Sequence, residues 1–291
     1  MRRTVAVVSC ALLALLLGTG GNCSRARVES MNQMNEGVVL AQQKRYVESV
    51  ERLQQATVMD GTNDEAYYNL ALVHMEMHKF DQAKEDLQRA IAIDDAVAGY
   101  HEKLGTVLME LEDWNGAKTE LERAIALDAN LFKAYYKLAQ VLERLDDQQN
   151  ALRRYTESIQ HGPRFLEAYG ALGRLYADLG YLNEAVQVFQ SALQVAQAGT
   201  EEEAQIHHLL GTVYQQQRNF PGAVTEFRAA LAAVPGMRDA LFSLGWTYAL
   251  EDDREEARRY LKKYLDVAGN EAPQHYVKAA RDRLAELGDG P

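Results

Sequence analysis

From about Ser30 onward, large apolar residues return at spacings of three and four, the stripe of an amphipathic helix, and a second such stripe follows each first one after a short polar break. The pair of stripes repeats every thirty-four residues. One copy carries Tyr67, Leu70, Ala71 and His74 in its first stripe and Phe80, Ala83, Leu87 and Ala90 in its second, closing on Asp94 and Asp95. The same offsets give Leu104, Gly105, Leu108, Trp114, Ala117 and Leu121, then Tyr135, Leu138, Ala139, Leu142, Ala151 and Tyr155, then Tyr169, Leu172, Gly173, Tyr176, Ala185 and Phe189. After four inserted residues, Thr200 to Glu203, the pattern resumes with Leu210, Gly211, Tyr214, Phe220, Ala223 and Phe227, and a last copy holds Leu241, Leu244, Gly245, Tyr248, Ala257 and Leu261. A degraded first copy keeps Gly37, Leu40, Tyr46, Ser49, Leu53 and Ala56 but has Gln33 and Glu36 in slots that should point into the core.

This periodicity predicts pairs of helices throughout. Small residues sit where the two helices of a pair must come close: Gly105, Gly173, Gly211 and Gly245 in first helices, and Ala83, Ala117, Ala151, Ala185, Ala223 and Ala257 in second helices. Pro163 and Pro235 fall between copies, and Pro221 and Pro273 open helices, where a missing N–H is tolerated. From Pro273, the residues Tyr276, Val277, Ala280, Leu284 and Leu287 predict one more amphipathic helix, with Arg281, Asp282 and Glu286 outside, suited to closing an open end.

These residues closely resemble the tetratricopeptide-repeat (TPR) signature, a thirty-four-residue helix–turn–helix unit. The resemblance implies an all-α TPR helical-hairpin solenoid over residues 30–271. Its seven repeats lie near 30–63, 64–97, 98–131, 132–165, 166–199, 204–237 and 238–271, with a capping helix at 272–287.

The N-terminus is of another kind. Met1, Arg2 and Arg3 precede an uncharged apolar run from Val5 to Leu17, too short to span a bilayer comfortably, and small residues follow from Gly18 to Gly21. A signal peptide is expected over residues 1–22 and a linker over 23–29, with an uncleaved anchor as the alternative; the residues after Arg3 do not suit twin-arginine export. Cys10 lies in the apolar run, which leaves Cys23 as the one cysteine of a processed chain. Its place after a small-residue stretch resembles the lipidated cysteine of bacterial lipoproteins, although Gly20 replaces the usual Leu and Asn22 precedes it. Lipidation and secretion with a free thiol both stay open. The expectation is an exported protein, periplasmic or membrane-anchored, that meets membrane only through a lipid anchor.

Charge narrows the partners. The chain carries −11 over 291 residues, and loss of residues 1–22 removes Arg2 and Arg3, giving −13. With no basic stripe, nucleic-acid binding is disfavoured. His74 and His78 lie four apart and His207 adjoins His208, but His74 fills a packing slot and the intervening residues do not form a metalloprotease motif, so no metal is expected. No Gly-x-Ser-x-Gly elbow and no phosphate-cradling loop occur, and no cofactor or enzymatic activity is expected.

In the TPR family the first helices line a concave groove that holds protein segments. Carried over from that resemblance, the groove positions are Met31, Met34, Val38, Tyr68, Leu72 and Met75; then Glu102, Lys133, Tyr136, Gln140, Arg144 and Arg174; then His208, Gln215, Phe242 and Trp246. The series reads apolar, then mixed and locally basic, then aromatic, which suits an adaptable peptide or helix site. Phe242 and Trp246 have the alternative of packing under the C-terminal helix. The carboxylate clamp of chaperone-binding members is incomplete: Asn69 and Lys103 fall in comparable slots, but Met34, Val38 and Gly99 stand where the others belong. The implied function is a non-catalytic interaction scaffold of the bacterial cell envelope, similar to TPR lipoproteins that help type IV pilus secretins assemble. A soluble periplasmic adaptor or chaperone-like module, or a regulatory subunit of an enzyme complex, is the alternative.

Overall fold

The computed structural model describes residues 20–269 and 272–288. Fifteen α-helices and no strands occur among the described residues, giving the all-α helical-hairpin solenoid fold. The chain divides into two compact units between Asp146 and Asp147, a boundary inside the repeat at 132–165. The N-terminal unit contains α1 (Gly20–Gln42), α2 (Tyr46–Met59), α3 (Asp64–Glu76), α4 (Phe80–Ile93), α5 (Ala98–Glu110), α6 (Trp114–Leu127) and α7 (Phe132–Arg144). The C-terminal unit contains α8 (Gln148–His161), α9 (Leu166–Asp178), α10 (Leu182–Val195), α11 (Glu201–Gln216), α12 (Phe220–Ala233), α13 (Arg238–Leu250), α14 (Arg254–Ala268) and α15 (Gln274–Leu287).

In both units one side chain of the second helix seals each hairpin. Leu53, Leu87 and Leu121 do so in the N-terminal unit, and Phe189, Phe227 and Leu261 in the C-terminal unit, all essentially inaccessible to solvent. The first helix must approach closely to reach them. A Cβ placed on Gly105 would lie 2.7 Å from Leu121 Cγ, and one on Gly211 2.6 Å from the Phe227 ring.

The turn joining the two helices of a pair recurs along the chain. Lys44, His78, Glu112, Asp146, Gly180, Arg218 and Asp252 all have positive φ, between 56° and 81°. The next residue's N–H reaches back five residues, as from Lys79 to the His74 carbonyl at 2.8 Å and from Asn219 to that of Tyr214 at 2.8 Å. This is a Schellman ending, which satisfies the last carbonyls of the first helix. Six of the seven left-handed positions are not glycine, so each carries roughly 1–2 kcal/mol of local strain that packing must outweigh. The second helix then starts on a side-chain cap in several copies: Asp113, Asn219 and Asp253 accept from the N–H three residues on.

Two expectations of the sequence differ from the structure. Residues 23–29 are not a linker but the opening turns of α1, which is 23 residues long. No Gly or Pro interrupts Cys23 to Glu29, and Ser30 fastens α1 by donating to the Ala56 carbonyl at 2.8 Å and accepting from Asn63. The four inserted residues, in turn, lengthen α11 at its start. Thr200 Oγ1 accepts from the Glu203 N–H at 3.2 Å while the Glu203 carboxylate accepts from the Gly199 N–H at 2.7 Å, a reciprocal cap. Residues 1–19 of the expected signal peptide and the side chain of Cys23 lie outside the described residues. Among the described residues no helix is long and apolar enough to cross a membrane.

At the chain's other end, α15 buries Val277, Ala280 and Leu287 against α13 and α14. Arg281, Asp282 and Glu286 stay outside, and Tyr276 is half exposed.

Candidate functional site

In the N-terminal unit, α1 and α3 bound a cleft of about 540 Å3. Val38, Leu72, Val73 and Met75 supply its apolar lining, and Asn69 and Lys103 its polar part. Leu72 and Met75 are half-buried, as expected of groove residues, and Met31 is exposed. Met34 is not a groove residue: at 7% exposure it belongs to the core with Leu53, Ala56, Ala66, Leu70 and Val73. Gln33 and Glu36 are polar and turn to Arg52 of α2, so Met34 is the side chain of α1 left to fill the space against α3. Tyr68 stacks at 4.9 Å on Tyr100, whose hydroxyl donates to Asp64 at 2.8 Å. Burial raises the pKa of both phenols, and the Asp64 carboxylate adds to the effect at Tyr100.

Next to the cleft, α5 and α7 are joined by a charged cluster. Glu102 is 8% exposed and takes the Lys137 ammonium on one carboxylate oxygen and Lys103 at 3.2 Å on the other. Lys137 also donates to Thr106 Oγ1 at 2.7 Å. Burial works to raise the Glu102 carboxyl, but the two ammonium groups outweigh it and hold the pKa below the ordinary range. At Lys137 the balance is opposite: burial lowers its pKa, and Glu102 restores it only partly, because Lys103 and Lys133 push the same way as burial. Sequence reasoning missed Lys137, although it follows Lys103 by one repeat of thirty-four residues and so occupies the same slot.

The remaining expected positions of this unit are near one another but differ in setting. Lys133 is exposed and makes no ion pair among the described residues. Gln140 donates to the Tyr136 hydroxyl at 3.2 Å. Arg144 lies 5.6 Å over the Trp114 ring, in a smaller polar hollow shared with Gln140 and Glu110.

In the C-terminal unit the equivalent side chains are engaged with each other. His208 lies 3.1 Å from Ser243 Oγ and 5.5 Å from the Phe227 ring, and burial lowers its pKa. Gln215 donates to Thr247 at 3.2 Å. Phe242 stacks on Trp246 and meets the rings of Tyr264 and Tyr276 edge-on at 5.3 and 5.0 Å. Arg283 of α15 covers Trp246 at 5.8 Å and donates to the Ala249 carbonyl. Phe242 and Trp246 thus hold the capping helix and are partly buried, so the groove assignment of these two gives way to packing under that helix. Arg174 stands apart and exposed.

Of the histidines weighed for metal, His74 is buried and bonded to Asp86 at 2.7 Å, whereas His78 is the exposed left-handed residue of its turn. His101 and His207 pair likewise with Glu120 and Glu226, each at 2.7 Å, from first helix to second. These pairs cross-link hairpins. Among the described residues, no group of three His, Cys, Asp or Glu could hold a metal ion.

Comparison with known proteins agrees with this geometry. Family models described as tetratricopeptide repeat match residues 64–95, 166–198 and 208–273, and one described as TPR repeat matches 105–146. No curated protein matches the chain. Among solved structures, the MamA protein is 26% identical over 57% of this chain and 91% of its own, with a TM-score of 0.54. The C-terminal part of a TPR repeat-containing protein from Cytophaga hutchinsonii is 16% identical over 86% of this chain and 99% of its own, at 0.70. Pseudomonas aeruginosa PilF is 17% identical over 75% of this chain and 96% of its own, at 0.60. The last two likenesses are of fold, and the matched residues together span more than half of the sequence. The chain belongs to the tetratricopeptide-repeat family.

Proposed function

We propose that this protein is a non-catalytic interaction scaffold of the bacterial cell envelope, which holds segments of partner proteins on the first helices of its N-terminal unit. The observation that carries the reading is the apolar cleft lined by the half-buried Val38, Leu72 and Met75. Apolar side chains left open in a concavity are a recognition surface, and methionine adapts to varied partners. TPR proteins bind protein partners, and the fold by itself hosts many of them, so the specific process is read from the site and the N-terminus. Photo-crosslinking tests the site directly. A photoreactive residue at Leu72 or Met75 should trap discrete partners in cells, and one at the outward Gln187 of α10 should not. Equal trapping at both positions, or none, counts against the reading.

The envelope assignment is supported by the positive Met1–Arg3, the apolar Val5–Leu17 and the small residues before Cys23. Lipidation at Cys23 would make the scaffold membrane-anchored; secretion without it would give a diffusible periplasmic adaptor. Membrane fractionation of wild type beside Cys23→Ala, with intact mass of the N-terminus, separates them. An acylated wild type in the membrane pellet with a soluble variant supports the anchor. Soluble protein in both cases rules the anchor out.

A further inference from the structure

The cleft and the charged cluster are neighbours through Lys103, which lines the first and belongs to the second. Lys137 and Lys103 already occupy both oxygens of one buried carboxylate, Glu102, and Lys133 stands near enough to Lys137 to add a repulsive charge. Lys133 is exposed and without an ion-pair partner among the described residues. This local surplus of cation stands out in a chain whose net charge is −11. Lys44, at the turn between α1 and α2, adds to the cleft's lining another ammonium without an ion pair among the described residues, while the one carboxylate of the lining, Glu76, accepts from the Tyr46 hydroxyl at 3.5 Å. An apolar pocket flanked by under-neutralised ammonium groups is complementary to a particular ligand, one with an apolar side chain followed by negative charge.

We infer that the N-terminal unit binds an acidic protein segment, seating an apolar side chain against Val38, Leu72 and Met75 and its carboxylates on Lys103 and Lys133. The inference rests on the interaction-scaffold reading above and names the chemistry of the partner. Recognition is through side-chain carboxylates and needs no chain terminus. Lys103 and Lys133 stand on first helices of adjacent repeats, whose axes are about 8–10 Å apart in packed helices, and Lys133 precedes the counterpart of Lys103, Lys137, by four residues or about 6 Å of helix rise, which places the two about 11 Å apart. An extended segment advances about 3.3 Å per residue, so the two carboxylates fall about three residues apart. Lys137 stays with Glu102 and sets the spacing of α5 and α7, so it acts as a positioning residue for Lys133.

Selection from a random dodecapeptide display library on the full chain tests this, followed by fluorescence anisotropy of the enriched sequences made as N-acetylated, C-amidated peptides. Enrichment of Leu or Met together with Asp or Glu is expected. Replacing the acids by Asn or Gln should weaken binding about tenfold, and the difference should shrink at high salt. The Lys103→Gln, Lys133→Gln double variant should remove the preference for acids, and Lys278→Gln on α15 should leave it unchanged. Leu72→Asp should abolish binding of every enriched peptide, with Met75→Asp as its substitute where melting shows that Leu72→Asp perturbs the fold. Neutral or basic peptides that depend on Leu72 but ignore the lysine substitutions would overturn the acidic assignment and leave the binding site standing. Peptides indifferent to both cleft substitutions, or no enrichment at all, would overturn the scaffold reading beneath it.

Discussion

The two units are made from one repeat yet treat the first-helix face differently. In the N-terminal unit, Leu72 and Met75 border an open cleft, Lys103 and Lys137 gather on one carboxylate and Lys133 is left without an ion pair. In the C-terminal unit, the same repeat slots hold His208 against Ser243, Gln215 against Thr247, and Phe242 and Trp246 under α15. The hairpin interiors follow suit: leucine seals each hairpin of the first unit, and aromatic rings seal two of the three that lie within the second. The lesson is that an identical fold register supports either an open cleft or internal packing, depending on whether a slot's side chains find each other or are left facing outward.

The largest effect that would break this contrast is a truncation in each face. Phe242→Ala removes a ring touched by Trp246, Tyr264 and Tyr276, and should cost about 3 kcal/mol. Leu72→Ala, at an open cleft, should cost less than about 1 kcal/mol. Hydrogen exchange of the amides in α13 and α3 reads each unit separately, and equal losses would erase the distinction. Next, Glu102→Gln leaves Lys137 half-paired in a buried setting, with an expected cost of about 2 kcal/mol confined to the N-terminal unit; Glu226→Gln, beside a histidine, should cost less.

A smaller pair of substitutions tests what the units share. Glu112→Gly and Asp252→Gly relieve left-handed residues in equivalent turns, and each should raise stability by about 0.5–1 kcal/mol by denaturant unfolding. A gain in one unit alone would mean the turns are not equivalent. The smallest expected effect is titration. Burial depresses the His208 pKa below its ordinary 6.5, so on acidification the unfolded chain takes up this proton before the folded one does. The stability that His208 preserves is therefore complete above pH 6.5 and declines as pH falls toward its lowered value. His208→Gln should flatten that part of the C-terminal unit's pH profile. Glu102, also depressed, holds its contribution above 4.5 and loses it only below, so acidification weakens the C-terminal unit's His208 term first.

Much of the fold was legible because it is written in local periodicity. Leu53, Leu121, Phe189 and Leu261 recur in one register and lie fully buried in it, since one face of each helix must meet its partner. The turns were less legible: Lys44, Glu112 and Arg218 adopt the left-handed conformation without the glycine that would announce it. The open cleft was legible only in part. Register placed Leu72 and Met75 on the face that lines it, whereas Met34 lies in the core, because α1 lacks a preceding repeat and its polar Gln33 and Glu36 turn to Arg52.

By itself, then, the sequence determined the all-α hairpin repeat, its phase, its proline-marked joints and its closing helix, because these depend on side chains three, four and thirty-four residues apart. Only the tertiary structure decided that the linker-like residues 23–29 continue α1, that Thr200 to Glu203 extend α11, that Lys137 joins Glu102 across repeats, and that Phe242 and Trp246 pack with α15 while Leu72 borders a cleft. Those outcomes turn on which side chains from different repeats meet, and burial, charge balance and open volume come into being only when the helices are packed.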